Sequence, residues 1–324
     1  MSSNYIKNVA IVGAAGNSGT FITRALLDTG KHTITALTRA YSSSKFPDSV
    51  TVKTIDYSDP STIVSALQGQ DALVITLGGM VAKDTETKLI EAAGEAGVKW
   101  ILPNEWAPDT ANEALVKDVF VFAGKPVNRK AIADLGKSNY IAISTGFWYE
   151  WSLAIGPAFG IDTVNRKVTL FDDGDTKIST STWPQVGRTV ASLLSLPIKA
   201  EGGNETCLEN FANKVIYASS FTLSQNEMLA SVLRVTDTKD ADWTITKESS
   251  RERFTTGLEE IKEGKRIGFV KMLYTRVFFP DGSGDTEHNN GSVNKVLGLP
   301  KEDLDEATGR AVERAKVEKQ WADE

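Results

Sequence analysis

The most constraining feature of the sequence is a glycine-rich segment between an apolar strand pattern and an amphipathic helix pattern. VAIVGAAGNSGTFITRALLDTG places Gly13, Gly16 and Gly19 in a GxxGxxG spacing, with small residues between them. The first glycine permits a tight turn, the second lets backbone N–H groups approach a pyrophosphate, and the third lets the helix pack closely. In this strand–turn–helix context the spacing indicates a dinucleotide-binding loop rather than an ordinary turn. The predicted phosphate-binding residues are Gly13, Ala15, Gly16, Asn17, Ser18 and Gly19.

The first 145 residues alternate short β-rich runs with helical patterns, which is typical of a parallel sheet covered by helices on both faces. We therefore predict an α/β fold with a Rossmann-type doubly wound parallel sheet. The strand patterns cover residues 7–13, 32–38, 50–56, 71–78, 98–103 and 139–145. The helix patterns cover residues 16–29, 60–68, 84–96 and 112–135, with an interruption expected at Pro126 in the last one.

After Gly146 the pattern loosens into short strands, turns and further helices. Helix patterns cover residues 182–196, 223–235, 249–263, 267–278 and 301–324, a strand pattern covers 214–220, and local disorder is expected in the glycine-rich 281–292 loop. We predict that residues 1–155 form an NAD(P)-binding domain to which residues 182–222 return. Residues 156–181 and 223–324 are expected to form a smaller, interleaved C-terminal substrate domain.

Composition excludes several classes of function. The 36 Lys and Arg residues against 42 Asp and Glu residues give a net charge of −6, without the basic excess of a nucleic-acid binder. Cys207 is the single cysteine, so neither an internal disulfide nor a cysteine-based zinc site is expected, and His32 and His288 lie too far apart to suggest a metal site. The longest apolar run, residues 9–15, is too short to span a bilayer. The sequence predicts a cytoplasmic monomer or homodimer that binds no metal, nucleic acid or membrane.

Two charged residues are candidates for the adenosine side of the cofactor site. Arg39 ends the second strand pattern, where an NAD-preferring site usually offers a carboxylate to the ribose. A carboxylate would repel a 2′-phosphate, whereas a guanidinium can pair with it, so Arg39 predicts NADPH, with Ser42, Ser43 or Lys45 nearby. The alternative is a solvated surface arginine. Asp56, at the end of the third strand pattern, is either an acceptor for the adenine amino group or a turn-forming residue.

Tyr41 and Lys45 have the YxxxK spacing of the catalytic pair in short-chain dehydrogenases. We do not assign them to catalysis, because they follow the second strand, on the adenosine side of the site. The nicotinamide would lie elsewhere, and enzymes of that class carry the pair after the fifth strand. No YxxxK occurs in that part of the chain.

The corresponding region instead contains PNEWAPDT at residues 103–110 and VFVFAGKPVNRKAIADLGKSNYIAISTGFWYEW at residues 119–151. Together with the GxxGxxG, the Arg after the second strand, SQNEMLASV and LGLPKEDLDEATGRAV, these segments resemble the NmrA-like, isoflavone-reductase-like atypical short-chain dehydrogenases. The resemblance covers most of the chain and implies an NAD(P)-dependent reductase. It maps the family's catalytic lysine onto Lys125 and its nicotinamide-side aromatic onto Phe147. The chain departs from the family in PNEWAP, in Pro126 and in Gln185.

Lys125 is also notable for its local sequence, although a helical lysine is usually a solvated charge. Pro126 suits the first helical turn and disfavours helical conformation in the residue before it, so Lys125 should lie at the mouth of a helix. The positive end of a helix would favour release of its proton near neutral pH. Gly78 and Asn104, after the fourth and fifth strand patterns, complete the predicted cofactor site with Phe147.

Phe147 to Trp151 contains four aromatic residues directly after the sixth strand pattern. Ligands of open α/β sheets bind beyond the carboxyl ends of strands, so this segment is either the wall of a flat apolar pocket or packing between two domains. The predicted substrate residues are Trp106, Trp148, Tyr149 and Trp151, with Trp183, Met272 and Tyr274 as weaker candidates.

The leading hypothesis is an NADPH-dependent reductase that transfers hydride to a small, apolar, aromatic or conjugated acceptor, with Lys125 as proton donor or relay. The cofactor would carry the redox chemistry and the protein would position it. The rival hypothesis is a regulator that senses NAD(P) and binds a partner without catalysis, in the manner of NmrA. A cofactor-dependent isomerase or lyase on the same fold is a third alternative.

Overall fold

Strands and helices alternate along the first half of the chain. The computed structural model describes residues 3–79, 81–82, 84–203 and 205–317. The strands are β1 (Asn8–Val12), β2 (Thr33–Arg39), β3 (Thr51–Ile55), β4 (Ala72–Ile75), β5 (Trp100–Leu102), β6 (Asn139–Ser144), β7 (Phe147–Trp148), β8 (Ile161–Asp162), β9 (Lys167–Phe171), β10 (Ile178–Ser181), β11 (Lys214–Tyr217), β12 (Phe221–Leu223) and β13 (Thr244–Glu248). The α-helices are α1 (Asn17–Asp28), α2 (Pro60–Leu67), α3 (Thr85–Ala96), α4 (Glu113–Asp118), α5 (Gly124–Asp134), α6 (Tyr149–Ala154), α7 (Gly156–Phe159), α8 (Trp183–Leu194), α9 (Gln225–Thr236), α10 (Ser250–Lys262), α11 (Arg266–Thr275), α12 (Thr286–Asn290) and α13 (Leu304–Val317).

A seven-stranded sheet in the order β11-β6-β5-β4-β1-β2-β3 forms the centre of the fold, and every pairing in it is parallel. Apolar side chains of α1 and α8 cover one face, and those of α2, α3 and α5 cover the other. The order reverses at β1, which lies between β4 and β2, and this is the point at which such sheets bind ligands. The predicted Rossmann-type doubly wound sheet is confirmed.

Elements from the second half of the chain return to this sheet. β11 pairs with β6 at the edge, and α8 packs against α1. Two smaller sheets, β12-β10-β7 and β13-β9-β8, lie outside the main one. They contribute to a second apolar cluster that includes Tyr149, Phe159, Phe171 and Phe278 and is packed by α9, α11 and α13. The fold thus combines a Rossmann-type sheet with a second apolar core that is built largely from residues after Gly146.

Short polar side chains define where several helices begin. Ser224 accepts a hydrogen bond from the backbone N–H of Glu227, whose carboxylate accepts in return from the N–H of Ser224. This reciprocal capping box satisfies two N–H groups at the start of α9. Asp59, Thr182 and Ser249 cap α2, α8 and α10 in the simpler way, through one side-chain oxygen.

The helix predicted over residues 112–135 is interrupted, but not at Pro126. The break lies at Val119, between α4 and a 3₁₀ turn at Phe120–Phe122, and α5 then begins at Gly124. Pro126 lies in the first turn of α5, where its missing N–H has no helical acceptor to lose. The placement of Lys125 at the mouth of a helix is confirmed.

The disorder expected for residues 281–292 is wrong. This segment contains α12, its residues Ser283 and Thr286 are buried, and Glu287 accepts hydrogen bonds from Ser219 and Thr222. α12 packs against β10 and β11, although its residues from Glu287 to Asn290 are exposed to solvent. Of the helix predicted over 301–324, α13 covers Leu304–Val317, and residues 318–324 lie outside the described residues.

In the described part of the chain no helix is long and apolar enough to cross a membrane.

The close packing of α8 on α1 depends on Gly187. A β-carbon at Gly187 would lie 2.5 Å from the carbonyl oxygen of Phe21, which is shorter than a van der Waals contact allows. We expect Gly187→Ala to lower the free energy of unfolding by about 1–3 kcal/mol, because the two helices would have to move apart. Urea denaturation followed by circular dichroism measures this.

The matched control is Gly309→Ala in α13. A β-carbon there meets only Val235 Cγ1, at an ordinary 3.7 Å. This substitution should raise stability by up to about 1 kcal/mol through helix propensity alone. Equal unfolding midpoints for Gly187→Ala and the parent would show that the α1–α8 contact is not close-packed.

Candidate active site

The glycine-rich loop follows β1 directly, and its three glycines have different neighbours. Gly13 has φ +77°, and a β-carbon there would lie 2.0 Å from the carbonyl oxygen of Thr76. A β-carbon at Gly19 would lie 2.1 Å from the carbonyl oxygen of Gly13. At Gly16 it would meet only that same oxygen, at 3.2 Å. Gly13 and Gly19 are therefore required by the protein's own packing, whereas Gly16 borders an open side of the loop.

The start of α1 has the features of an anion site. Gly16 is the N-cap residue, and because it has no side chain, the first-turn N–H groups have no side-chain acceptor. Such N–H groups, together with the positive end of the helix dipole, are the usual partners of a pyrophosphate. Ala15 precedes the helix, and Asn17 and Ser18 form its first turn. The backbone fits the phosphates of a dinucleotide, and the assignment of these residues stays a prediction.

Arg39 lies at the end of β2 and borders a depression of about 410 Å³ that also includes Ser42 and Ser44. Arg39 forms no ion pair with a described residue, so its guanidinium is available to a ligand. Asp48 also lines the depression, whereas Lys45 is exposed and does not. Tyr41 is fully exposed on the same loop, on the far side from the fifth strand.

Asp56 is engaged in a turn. Its Oδ1 accepts hydrogen bonds from the hydroxyl of Ser58, at 2.6 Å, and from the N–H of Ser58, at 2.8 Å. These bonds lower the pKa of the Asp56 carboxyl. The geometry favours the turn-forming interpretation, while a contact with adenine stays untested.

Asn104 joins the ends of β4 and β5. Its side-chain Oδ1 accepts from the N–H of Leu77 and its Nδ2 donates to the carbonyl of Leu77, both at 3.1 Å. These two hydrogen bonds to one residue fix the orientation of the Asn104 side-chain amide. Gly78, the next residue after Leu77, is exposed at the carboxyl end of β4. The predicted residues Gly78 and Asn104 are therefore held together at the same edge of the sheet.

Lys125 lies beside Asn104. It is the second residue of α5, is partly buried, and donates a hydrogen bond from Nζ to the carbonyl oxygen of Asn104. Gly13 and Arg39 lie at or just beyond the carboxyl ends of β1 and β2, and Asn104 just beyond that of β5. Because carboxyl ends of parallel strands share one edge, Lys125 is placed at the edge that carries the glycine loop.

Sequence analysis missed Glu86, which is a buried carboxylate next to Lys125. Glu86 lies in the first turn of α3, and its Oε1 accepts the backbone N–H of Asn104 at 2.8 Å. Burial raises the pKa of the Glu86 carboxyl, and the charge of Lys125, the N–H of Asn104 and the side chain of Asn128 oppose this. Its sequence context, a first-turn acidic residue on an amphipathic helix, is that of an ordinary solvated residue.

Sequence analysis also missed a buried ion pair beneath the lysine. Arg129 Nη1 lies 2.7 Å and 2.8 Å from the two carboxylate oxygens of Glu105, and Arg129 also donates to the hydroxyl and carbonyl of Thr110. Glu105 follows Asn104 in the loop after β5, and Arg129 follows Lys125 by one turn of α5. The pair therefore fixes α5 against that loop. The sequence signal for Arg129 is its spacing from Lys125, which places both side chains on one face of a helix.

The aromatic segment after β6 divides between two environments. Phe147 packs against Tyr274, with ring centroids 4.3 Å apart. Trp148 and Trp151 surround Trp183, with centroids 5.9 Å and 6.3 Å from its ring. Arg314 covers both Trp151 and Trp183 at 4.8 Å. The result is an aromatic cluster of Trp148, Trp151 and Trp183.

Three candidate substrate residues have partners inside the protein. Tyr149 is fully buried in the second core and its hydroxyl bonds to Thr308. Trp106 is partly buried and donates from Nε1 to the carbonyl of Ile75 at 2.7 Å. Met272 is buried against Val119 and Phe122. For Tyr149 and Met272 the geometry favours the packing interpretation.

The indole N–H groups of Trp148 and Trp183 are buried without an acceptor among the described residues. Buried donors in folded proteins are nearly always paired, so each of these N–H groups requires a water or a ligand oxygen. Across residues 3–317, leaving out 80, 83 and 204, there is no group of three or more His, Cys, Asp or Glu side chains that could hold a metal ion.

The fold and the glycine loop define the class of Rossmann-type dinucleotide-binding proteins. Residues 6–170 match the model of the NmrA-like family, which is half of the chain, and the chain belongs to that family. The family resemblance predicted from the sequence is confirmed.

The similar proteins include oxidoreductases from fungi and bacteria. Oxidoreductase aprR of Aspergillus flavus is 28% identical over 304 residues, covering 92% of this chain and 96% of that protein. The crystal structure of isoflavone reductase has a TM-score of 0.74 at 21% identity and covers 95% of this chain and 99% of its own. The NADPH-dependent quinone oxidoreductase of Escherichia coli, in complex with NADPH, has a TM-score of 0.65 at 21% identity, with 93% and 98% covered. The names of these relatives confirm the oxidoreductase class that was predicted from the sequence.

The Glu105–Arg129 pair provides a test of how α5 is held. Arg129→Ala would leave a buried carboxylate without its cation, which costs about 3–5 kcal/mol of folding free energy. The control is Lys130→Ala, which removes an exposed pair with Asp134 on the same helix and should cost about 0.5 kcal/mol or less. Urea midpoints measure both, and a similar small effect in the two variants would contradict the proposed role of the buried pair.

Proposed function

We propose that the protein is an NADPH-dependent reductase that transfers hydride to a small, apolar, aromatic or conjugated acceptor, with Lys125 as proton donor or relay. The observation that carries the proposal is the placement of Lys125, anchored to the Asn104 carbonyl at the sheet edge that bears the glycine loop. The nicotinamide supplies the hydride when it is bound, and the protein's task is to position it.

The choice of NADPH is supported by Arg39. Its side chain borders the depression at the end of β2 and has no described ion-pair partner, so a 2′-phosphate could pair with it without displacing another anion. The similar structure of the Escherichia coli quinone oxidoreductase is a complex with NADPH. Asp48 lines the same depression, and its carboxylate would repel a phosphate that came close to it. The preference for NADPH over NADH would therefore depend on Arg39.

The aromatic cluster supports an acceptor that carries an oxygen. Trp183 is buried with Phe21 and Arg314 against its ring, so the cluster would act through the unpaired N–H groups of Trp148 and Trp183, which could donate to a carbonyl or quinone oxygen. Phe147, whose ring is tilted by 35° against that of Tyr274, would then lie on the cofactor side of this cluster. In this arrangement α11, from the predicted substrate domain, and α8, from the segment predicted to return to the cofactor domain, would both contribute to the acceptor site.

Arg39→Ala should abolish a preference for NADPH over NADH. In the parent we expect NADPH to bind at least about tenfold more tightly, because a charge-assisted hydrogen bond is worth about 1.5–3 kcal/mol. Titration calorimetry with both cofactors measures this. Arg24→Ala removes an exposed arginine on α1 and should leave the preference intact. Equal affinities of the parent for both cofactors would reject the role of Arg39.

Lys125→Ala should reduce turnover by about 10²–10⁴-fold, the usual contribution of a positioned acid or base. NADPH affinity should change much less, since the glycine loop and Arg39 provide most of the binding. Lys125→Arg should not restore turnover, because guanidinium holds its proton too tightly to donate it near neutral pH. The assay is NADPH consumption with a panel of aromatic ketones, enones, benzylic ethers and quinones.

Lys130→Ala, on the exposed side of α5, is the control and should behave like the parent. Normal turnover in Lys125→Ala would remove the lysine from the mechanism. A parent protein that binds NADPH but consumes none with any acceptor would instead favour the rival function, a dinucleotide-sensing regulator.

A further inference from the structure

We propose that Glu86 is a positioning residue for Lys125, which acts through Asn104 to aim the lysine and through its negative charge to keep the lysine protonated between turnovers. This inference rests on the proposed function, in which Lys125 donates a proton. It adds a residue from α3, an element that neither the glycine loop nor the family resemblance points to.

The first argument is geometrical. Glu86 is only 9% exposed and lies at the start of α3, where its carboxylate Oε1 accepts the Asn104 N–H at 2.8 Å. The carbonyl of the same residue accepts from Lys125. Asn104 therefore donates to the acid through one peptide group and accepts from the amine through the next. A carboxylate that holds the backbone of Asn104 also holds the acceptor that orients Lys125.

The second argument concerns rigidity. The side chain of Asn104 is bonded twice to Leu77, so all four polar groups of this residue are engaged. Asn104 cannot turn away from Glu86 without breaking bonds to β4. The direction of the Lys125 ammonium is consequently determined by three elements: the end of β4, the start of α3 and the start of α5.

The third argument concerns charge. Lys125 and Asn128 from α5 and Glu105 from the loop after β5 act on Glu86. Glu105 is already paired with Arg129, and on α3 itself Asp84 is paired with Lys88. Of these three carboxylates, that of Glu86 has no described ion-pair partner, so its charge is available to Lys125. An opposite charge nearby favours the ammonium form of a lysine, which is the form that a proton donor must have at the start of each turnover.

The two roles of Glu86 predict different effects for different substitutions. Glu86→Gln keeps an oxygen that can accept the Asn104 N–H but removes the charge. Glu86→Ala removes both. If Glu86 were merely structural, glutamine would substitute for it without any change in the pH dependence of turnover. If its charge keeps Lys125 protonated, glutamine would change that pH dependence.

For Glu86→Gln we expect the basic limb of the pH–rate profile to move about one pH unit lower, the scale of an effect from one nearby charge. Below that limb kcat, KM and NADPH affinity should stay within twofold of the parent. Glu86→Ala should show the same shift and, in addition, a lower kcat at every pH, because Asn104 loses its acceptor. Glu91→Gln, on the exposed side of α3, is the control and should keep the parent profile.

Thermal stability separates this effect from misfolding. Burial raises the pKa of the Glu86 carboxyl, so its charged form costs more free energy in the folded protein than in the unfolded chain. Glutamine resembles the neutral form, so at pH 7 Glu86→Gln should melt no earlier than the parent. An early-melting variant would contradict this account of the site.

A second readout does not depend on turnover. The rate at which an amine-specific acylating reagent modifies Lys125, measured by mass spectrometry over a pH series, reports its deprotonation directly. In Glu86→Gln the half-maximal rate should occur about one pH unit lower than in the parent. A parent-like labelling curve would overturn the inference even if Lys125→Ala is inactive. A shifted curve in a protein that reduces no acceptor would support the charge coupling and reject the proposed reductase activity instead.

Discussion

The hydrogen bonds of Asn104 are the interaction on which the candidate site depends. One residue joins the end of β4, the start of α3 and the start of α5, through partners that lie 27, 18 and 21 residues from it in the sequence. Each bond is an ordinary one, worth about 1 kcal/mol in isolation, but their common residue makes them cooperative in placing Lys125. The neighbouring Glu105–Arg129 pair fixes the same loop from below, so that α5 cannot slide along it. The lysine is therefore held by the backbone and by buried charges rather than by its own long and flexible side chain.

Along the glycine loop, Gly13 and Gly19 are needed for packing, whereas Gly16 leaves room for a ligand. Gly13 and Gly19 are needed for the protein's own backbone contacts, with Thr76 and with each other, and any side chain there would displace β1 from α1. Gly16 has room on its outer side, as a residue whose task is to admit a ligand should have. A GxxGxxG spacing thus combines two physical causes. The folding role of Gly13 and Gly19 can be tested by unfolding measurements without a cofactor, whereas the role of Gly16 requires a binding measurement.

Much of the fold could be predicted from local patterns because they have local causes. Buried parallel strands are continuous apolar runs, and helices begin at Ser224 or Thr182 because a side-chain oxygen satisfies their first N–H groups. Interpretations failed where the cause was tertiary. The polar 281–292 segment is ordered because Glu287 and Asn294 bond to the strand ends around Ser219, partners about 70 residues away. Glu86 was missed for the same reason, since a charged residue on an amphipathic helix carries no local sign that the sheet edge will bury it. For Arg129 the spacing from Lys125 was a local signal, but its pairing with Glu105 of the loop after β5 is tertiary.

The placement of the aromatic residues divides the site between early and late parts of the chain. The glycine loop, Asn104 and Lys125 precede residue 147, whereas the aromatic cluster combines Trp148 and Trp151 with Trp183 at the start of α8 and with Arg314 of α13. Trp148 and Tyr149 are adjacent, yet successive side chains leave the backbone in different directions, so one joins the cluster and the other enters the second core. A change at Arg314 of α13 would therefore alter the aromatic cluster without touching the glycine loop or the Asn104 contacts. Under the proposed function, such a change would alter the acceptor and leave the cofactor the same, which would be a physical reason for one fold to carry relatives named for different reductions.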